Sequence, residues 1–480
     1  MKKVNLLAAA VLAAALSMPA QADYTPNVYF GGYFRSGVAS EHLTNNFGKA
    51  AGRLGAEADT YGEIFLGTDV AKVDDTVWSV NTMLAVSHDG YQGDWVSLGD
   101  CGALRQFYAS VKGIMDWDKD ASVWIGKRFY RREDIHITDK YYHDVSGNGA
   151  GIENVTLGSG KLSVAWLRND DSYKYQANFD DNVYQVYTYD GDGKKISVAP
   201  NKVALHFFDV EYDFPVWDGA NMEIRNTYML PKKDSDNPWY TTETKGTNNF
   251  MIELNQGYSL GWNKTVLQYQ YGPQAGMNVF GFQRWGAGDG QSGLADSAWG
   301  INLLNFGETH FTENFGMFHV IGAHFAGGRD GLATYENGAL TKVSESSFKD
   351  KKAFQLVVRP YYKLTKMTRL LLEAGFYTES TTHWDMASVN DINYVTEKTS
   401  NVQAKKVTLA YALTPDAGNF WSRPELRFYV SYLNGGNDQG TLGQYGNANY
   451  TVSSATDANY SYSHKKTNQV IFGAQAEAWW

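Results

Sequence analysis

The last fourteen residues, Thr467 to Trp480, place apolar side chains at every even position from Val470 onward: Val470, Phe472, Ala474, Ala476, Ala478 and Trp480. Gly473, Gln475, Glu477 and Trp479 stand opposite them. Because side chains in a strand alternate between two faces, this ending is a strand with one greasy face and one wet one. The same period runs through Val28–Arg35, Phe208–Phe214 and Leu426–Tyr432, and through Leu162/Val164/Trp166, Thr265/Leu267/Tyr269 and Leu370/Leu372/Ala374/Phe376. A chain of such strands must cover one face of a sheet from water, either with a second sheet or with lipid.

The N-terminus bears on which. Met1-Lys2-Lys3 is followed by an apolar stretch from Val4 to Leu16 and by Ala20-Gln21-Ala22, the layout of a secretory signal peptide over residues 1–22 with cleavage before Asp23. The apolar stretch is shorter than the roughly 20 residues of a membrane helix. Removing it takes the net charge from −10 to −12, and nothing in that balance points to nucleic acid. Cys101 is the sole cysteine, so no intrachain disulfide can form. The remaining 458 residues contain no evident linker and no later apolar run of helix-spanning length. The mean hydropathy is negative, which does not argue against a barrel, because its strands offer only alternate residues to lipid.

Taken together, export and parity predict an all-β fold over residues 23–480: a transmembrane antiparallel β-barrel. About 25 residues per strand and loop give about 18 strands, an even number as bacterial barrels require. Closure leaves no unpaired backbone edge in lipid. The 14 Trp, 32 Tyr and 24 Phe suit aromatic girdles and the 48 Gly suit turns, although a secreted carbohydrate-binding sheet protein would use them too. The terminal aromatic resembles the ending of outer-membrane barrels, where it serves as the assembly signal read by the barrel assembly machinery. Asp190–Gly193, Gly286–Gly290 and Asn434–Asn437 read as turns, and Thr441–Ser463 as a long exposed loop.

On the wet faces, aromatics keep company with charges: Tyr33 with Arg35, Tyr61 with Asp59 and Glu63, Trp421 with Arg423, Glu425 and Arg427, and Trp479 with Glu477. A pyranose ring has an apolar C–H face and a rim of hydroxyls. Flat rings cover the first, and charged side chains give charge-assisted hydrogen bonds to the second. A lumen lined this way would bind sugars.

The densest cluster runs from Gly126-Lys-Arg-Phe-Tyr130 through Arg132, Asp134, His136, Asp139, Tyr141-Tyr142 and Asp144 to Ser146-Gly-Asn-Gly-Ala-Gly151. Here the sequence resembles the maltoporins. The likeness is supported at Val28–Gly37, at Arg53-Leu-Gly-Ala-Glu57 with Tyr61-Gly-Glu63, at Trp421-Ser-Arg-Pro424 and at the Trp479-Trp480 end. It implies an 18-stranded, homotrimeric outer-membrane barrel in which this loop folds inward as a constriction. It further implies facilitated diffusion of maltose and maltodextrins along an aromatic slide at Tyr33, Tyr61, Trp262, Trp421 and Trp479, with Trp95 contributed across the trimer. The polar track it implies comprises Arg35, Arg53, Glu63, Arg105, Arg132, Asp134, Asp139 and Tyr141. A role as phage receptor is a family trait, but it depends on long loops that match poorly. No cofactor is implied, and the family's first-loop cysteine pair is absent.

Each feature has a plainer reading. Aromatics at strand ends form girdles, and luminal Arg and Glu can stabilise the wall or set ion selectivity. A general porin, or a secreted glycoside hydrolase with Asp134 and Asp139 as acid and base, are the competing functions. The hydrolase leaves the terminal strand unexplained. His136 and His143 lie among acids without a recognisable metal-ligand spacing.

Overall fold

The computed structural model describes residues 25–40, 49–88, 102–172, 187–189, 195–197, 202–232, 245–283, 297–329, 333–336, 339–343, 348–389, 392–437, 451–452, 460–461 and 468–480. The expected signal peptide, Trp95, Cys101, the turns at Asp190–Gly193 and Gly286–Gly290, and most of Thr441–Ser463 lie outside these residues.

Eighteen strands form the wall: β1 Val28–Ala39, β2 Thr60–Val73, β3 Thr76–His88, β4 Gly102–Lys112, β5 Ser122–Arg128, β6 Gly147–Leu157, β7 Gly160–Ser172, β8 Lys202–Trp217 and β9 Ala220–Lys232 in the first half. In the second half follow β10 Thr247–Tyr258, β11 Gly261–Tyr271, β12 Trp299–Thr312, β13 Phe315–Gly327, β14 Phe348–Lys363, β15 Thr368–Val389, β16 Ile392–Leu413, β17 Glu425–Asn437 and β18 Asn468–Trp479. Each pairs antiparallel with its sequence neighbour, and β18 returns to β1 with Tyr33 opposite Trp479 and Ala39 opposite Gly473. The meander is thus a closed barrel, with every wall strand paired on both edges.

Strand parity sorts the faces. On β18, Phe472 is 64% exposed and Glu477 0%. Phe208 and Val210 face outward while Asp209 and Glu211 are buried, and on β17 Leu426, Phe428 and Val430 face outward against buried Arg427, Tyr429 and Ser431. Connections at one end are tight, such as 74–75, 158–159, 218–219 and 259–260, whereas those at the other include 40–59, 129–146, 173–201 and 438–467. In barrels of this class the tight end is periplasmic.

Asn434–Asn437 is not a turn: it continues β17, with Gly435 opposite Ala404 and Gly436 opposite Gln403. A Cβ on Gly435 would collide with the Gln403 carbonyl oxygen, so glycine here serves close strand approach.

The interior is filled by more than one inward segment. Residues 129–146 fold into the lumen as the short strands Glu133–Ile135 and Lys140–Asp144 joined by a single 3-10 turn, His136–Thr138. Residues 49–59 lie beside them, joined by Arg53 N–H donating to the Ile137 carbonyl at 2.8 Å. Lys406 Nζ, on the wall, donates to the carbonyls of Gly52 (2.6 Å) and Leu54 (2.5 Å), and Glu373 accepts from Leu54 N–H. A third segment ends at Phe282–Gln283, which pairs in parallel with His143 and Asp144. Leu54, Ile135, Ile137 and Tyr142 pack with Phe306, Phe318 and Val320 from the wall, so the hydrophobic core lies inside the barrel.

Candidate functional site

A cavity of about 580 Å³ remains between the inward segments and the wall, to which β1, β2, β4, β11, β12, β13 and β18 contribute. Thirteen of the fourteen residues singled out in the sequence surround it: Tyr33, Arg35, Arg53, Tyr61, Glu63, Arg105, Arg132, Asp134, Asp139, Tyr141, Trp262, Trp421 and Trp479. The remaining one is Trp95. His136, Phe306 and Phe318 complete the lining.

The aromatic rings form a file. Tyr61 and Tyr33 have centroids 6.0 Å apart, and Tyr33 is the register partner of Trp479. Trp479 lies 6.3 Å from Trp421, Trp421 5.9 Å from Phe318, and Phe318 5.7 Å from Trp262. The file therefore runs from the start of β2 at the long-loop end to the start of β11 at the tight-turn end. Tyr33, Tyr61, Trp262, Trp421 and Trp479 are half-buried, whereas Phe306 and Phe318 are buried and back the row. Trp421 does not sit on a strand: it belongs to residues 414–424, a connection tucked into the barrel mouth. Its indole Nε1 donates to Glu308 at 3.1 Å, and Glu308 also accepts from Tyr361 at 2.8 Å. Behind Trp479, the Arg423 guanidinium stacks 3.9 Å from the ring centre, so one face of that indole is taken.

Charged side chains share the lining with the rings. Arg35 makes a two-pronged pair with Asp59 (2.9 and 2.7 Å) and reaches Glu57 at 3.1 Å. Arg53 donates to Glu57 at 2.6 Å and to the Tyr33 hydroxyl at 2.6 Å. Buried Glu477 gathers Arg53, Arg423 and Arg427 within 3.1 Å. On the constriction loop, Arg132 donates to the Tyr141 hydroxyl at 2.6 Å and lies over the Phe129 and Tyr141 rings, while Tyr61 donates to Glu63. Such pairs hold planar donors and acceptors along the cavity edge, the geometry hydroxyl recognition requires.

Burial, then the nearby Asp139, raises the Asp134 carboxyl above its ordinary pKa. Burial first, then Arg53, holds His136 well below the usual imidazole value. Its ring nitrogens lie 3.3 and 3.4 Å from the Arg53 and Arg423 guanidiniums, and a neutral ring can accept from one of the two. His143 is turned away, bonded to the Arg131 carbonyl and the Thr227 hydroxyl. Among the described residues no group of three or more His, Cys, Asp or Glu is arranged to hold a metal ion.

Sequence reasoning missed Glu308, Phe306, Phe318 and Arg423's stacking role. Phe306 and Glu308 share even parity on one strand with buried Asn302, and that signal would have put both in the lumen.

The model of the LamB porin family matches residues 28–480. Maltoporin 1 of Klebsiella pneumoniae subsp. pneumoniae is 32% identical over 486 residues, covering 98% of this chain and 97% of that protein. Maltoporin 2 of Yersinia pestis is 32% identical over 481 residues with the same coverage. Among solved structures, the outer membrane channel DcaP of Acinetobacter baumannii is 12% identical, with a TM-score of 0.39 over 95% of this chain and 97% of that one, too loose a likeness to bear on function. With a family match over nearly its whole length and a closed 18-stranded wall, this chain belongs to the LamB porin family, as a sugar porin of the bacterial outer membrane.

Proposed function

We propose that the protein mediates facilitated diffusion of maltose and maltodextrins, without catalysis, by sliding them along the file Tyr61, Tyr33, Trp479, Trp421 and Trp262. Arg35, Arg53, Glu63, Arg105, Arg132, Asp134, Asp139 and Tyr141 serve as the hydroxyl track. The observation that carries this reading is the row of rings, Tyr61 to Tyr33 and, bridged by buried Phe318, Trp479 through Trp421 to Trp262, with measured centroid spacings of 5.7–6.3 Å, lining one cavity together with paired charges. A sliding oligosaccharide loses one stacking platform as it gains the next, which keeps binding attractive enough to enter and weak enough to leave. The functional unit in this reading is a homotrimer, with Trp95 lent to the neighbouring channel, delivered by a cleaved signal peptide at residues 1–22 and the barrel assembly machinery. The test is ion current through single channels in a planar bilayer. Maltohexaose should block it reversibly, while a current indifferent to maltohexaose would leave only a general porin.

A further inference from the structure

Beside Trp262 the lumen wall changes chemistry. One register row across β8, β9 and β10 consists of Asp213, Glu223 and Glu253, and the next row of the same face toward the tight-turn end is Pro215, Asn221 and Asn255. Carboxylates give way to amides in a single step. At that level lies a second cavity of about 590 Å³, lined by Pro215, Trp217, Asn221, Asn255, Gln256 and Trp262 among others. Trp262 borders both this cavity and the central one, so the two meet at that ring.

The cavity is built by two turns held together. Gly257 N–H donates to the Gly219 carbonyl at 2.8 Å, drawing the β10–β11 turn onto the β8–β9 turn. Gly219 has φ +76°, which favours glycine. Asn255 Nδ2 donates to Glu253 at 2.9 Å, so the carboxylate row fixes the amide above it and leaves the amide oxygen as the acceptor. Trp217 is 51% exposed. The volume falls within the range of small-molecule sites.

We propose that this cavity is an exit subsite for a pyranose ring, occupied by the leading end of an oligosaccharide that already covers Trp262. The proposal rests on the sugar-channel reading above and extends it past the ring file. Amides offer donors and an acceptor on one planar group, matching a hydroxyl that both donates and accepts. Neutral amide hydrogen bonds are roughly half as strong as the charge-assisted ones of the central track. Among the described residues, Asp218 is the one charged side chain in this lining, against Arg35, Arg53, Glu63, Arg105, Arg132, Asp134 and Asp139 around the central cavity, so the subsite holds its sugar more loosely than the centre, which favours release at the periplasmic mouth.

The test uses the full-length protein in planar bilayers and compares Asn221→Ala/Asn255→Ala with the unmodified channel, using maltose, maltotriose and maltoheptaose as blockers. The expected result is about a threefold rise in the maltoheptaose dissociation constant, carried by a faster off-rate, with maltotriose block and single-channel conductance unchanged. Unchanged maltoheptaose block would overturn the subsite, as would an equal shift for all three sugars, the sign of a disturbed wall. Trp217→Ala provides a second variant outside the amide row and should give the same length-dependent loss. If the unmodified channel shows no block by any of the three, the sugar reading itself falls and the exit subsite with it, a result distinct from failure of the variants alone.

Discussion

Two sides of the same lumen use the same residue types for opposite ends. On the side of β1, β2 and β18, Tyr33, Arg35 and Glu63 from the wall and Arg53 from the inward segment border open cavity. On the side of β8 to β11, Arg225 is wholly buried, with Glu211 at 2.5 Å, Glu223 at 2.7 Å and Glu133 at 3.4 Å around one of its nitrogens, and Lys264 is closed on Glu253 at 2.7 Å. The constriction loop joins the two sides. Arg132, Asp134, His136, Asp139 and Tyr141 face the cavity, while Arg131, Glu133, Tyr142 and His143 are tied to the far wall. At Glu133/Asp134 and Tyr141/Tyr142 neighbouring residues turn to opposite sides, so a charged loop can be anchored and line the cavity at once.

That contrast can be broken most forcefully at the anchor. Arg225→Met should leave Glu211, Glu223 and Glu133 crowded without their shared cation, a loss of about 3–5 kcal/mol for a broken buried network. A lowered urea midpoint of the barrel in detergent, together with weakened sugar block, is the expected outcome, and an unchanged midpoint would show that the far wall does not hold the loop. On the cavity side the effect should be smaller and confined to the ligand. Trp421→Ala removes one stacking platform, about 1 kcal/mol, or roughly fivefold in the maltohexaose dissociation constant, with conductance kept; equal falls in both would make the ring architectural. Glu308→Gln sharpens the comparison further, because it retains shape while weakening the anchor of Trp421 Nε1 and the Tyr361 hydroxyl. About a twofold weaker block is expected, because the amide keeps one uncharged acceptor oxygen for the two donors. The smallest effect concerns pH. Because burial, then Arg53, hold His136 well below the ordinary imidazole range, no imidazole step is expected as pH falls from 7.5 to 5.5. His136→Gln should therefore leave the shape of the block-versus-pH curve unaltered across that window, and removal of a step near pH 6.5 would show that the ring titrates freely.

Much of this was legible before any coordinates. Parity placed Tyr33, Arg35, Tyr61, Glu63 and Trp479 on the wet face because a strand's period of two is a local property. The same logic could have found Phe306 and Glu308. It put Trp421 on the wet face too, where the cavity has it, although that residue lies in a connection to which period two does not apply, and it misread Asn434–Asn437, where turn-forming residues continue a strand for reasons of interstrand spacing.

The chain by itself determined which face of each strand meets lipid, how many strands could close, and which loop carried chemistry, since these follow from alternation, length and local composition. Only the tertiary structure decided that residues 49–59 also fold inward, that Phe318 links Trp262 to Trp421, and that Glu477 gathers Arg53, Arg423 and Arg427. Such contacts join residues as much as 424 positions apart, Arg53 with Glu477, whose neighbourhood is set by barrel closure and by what fills the barrel.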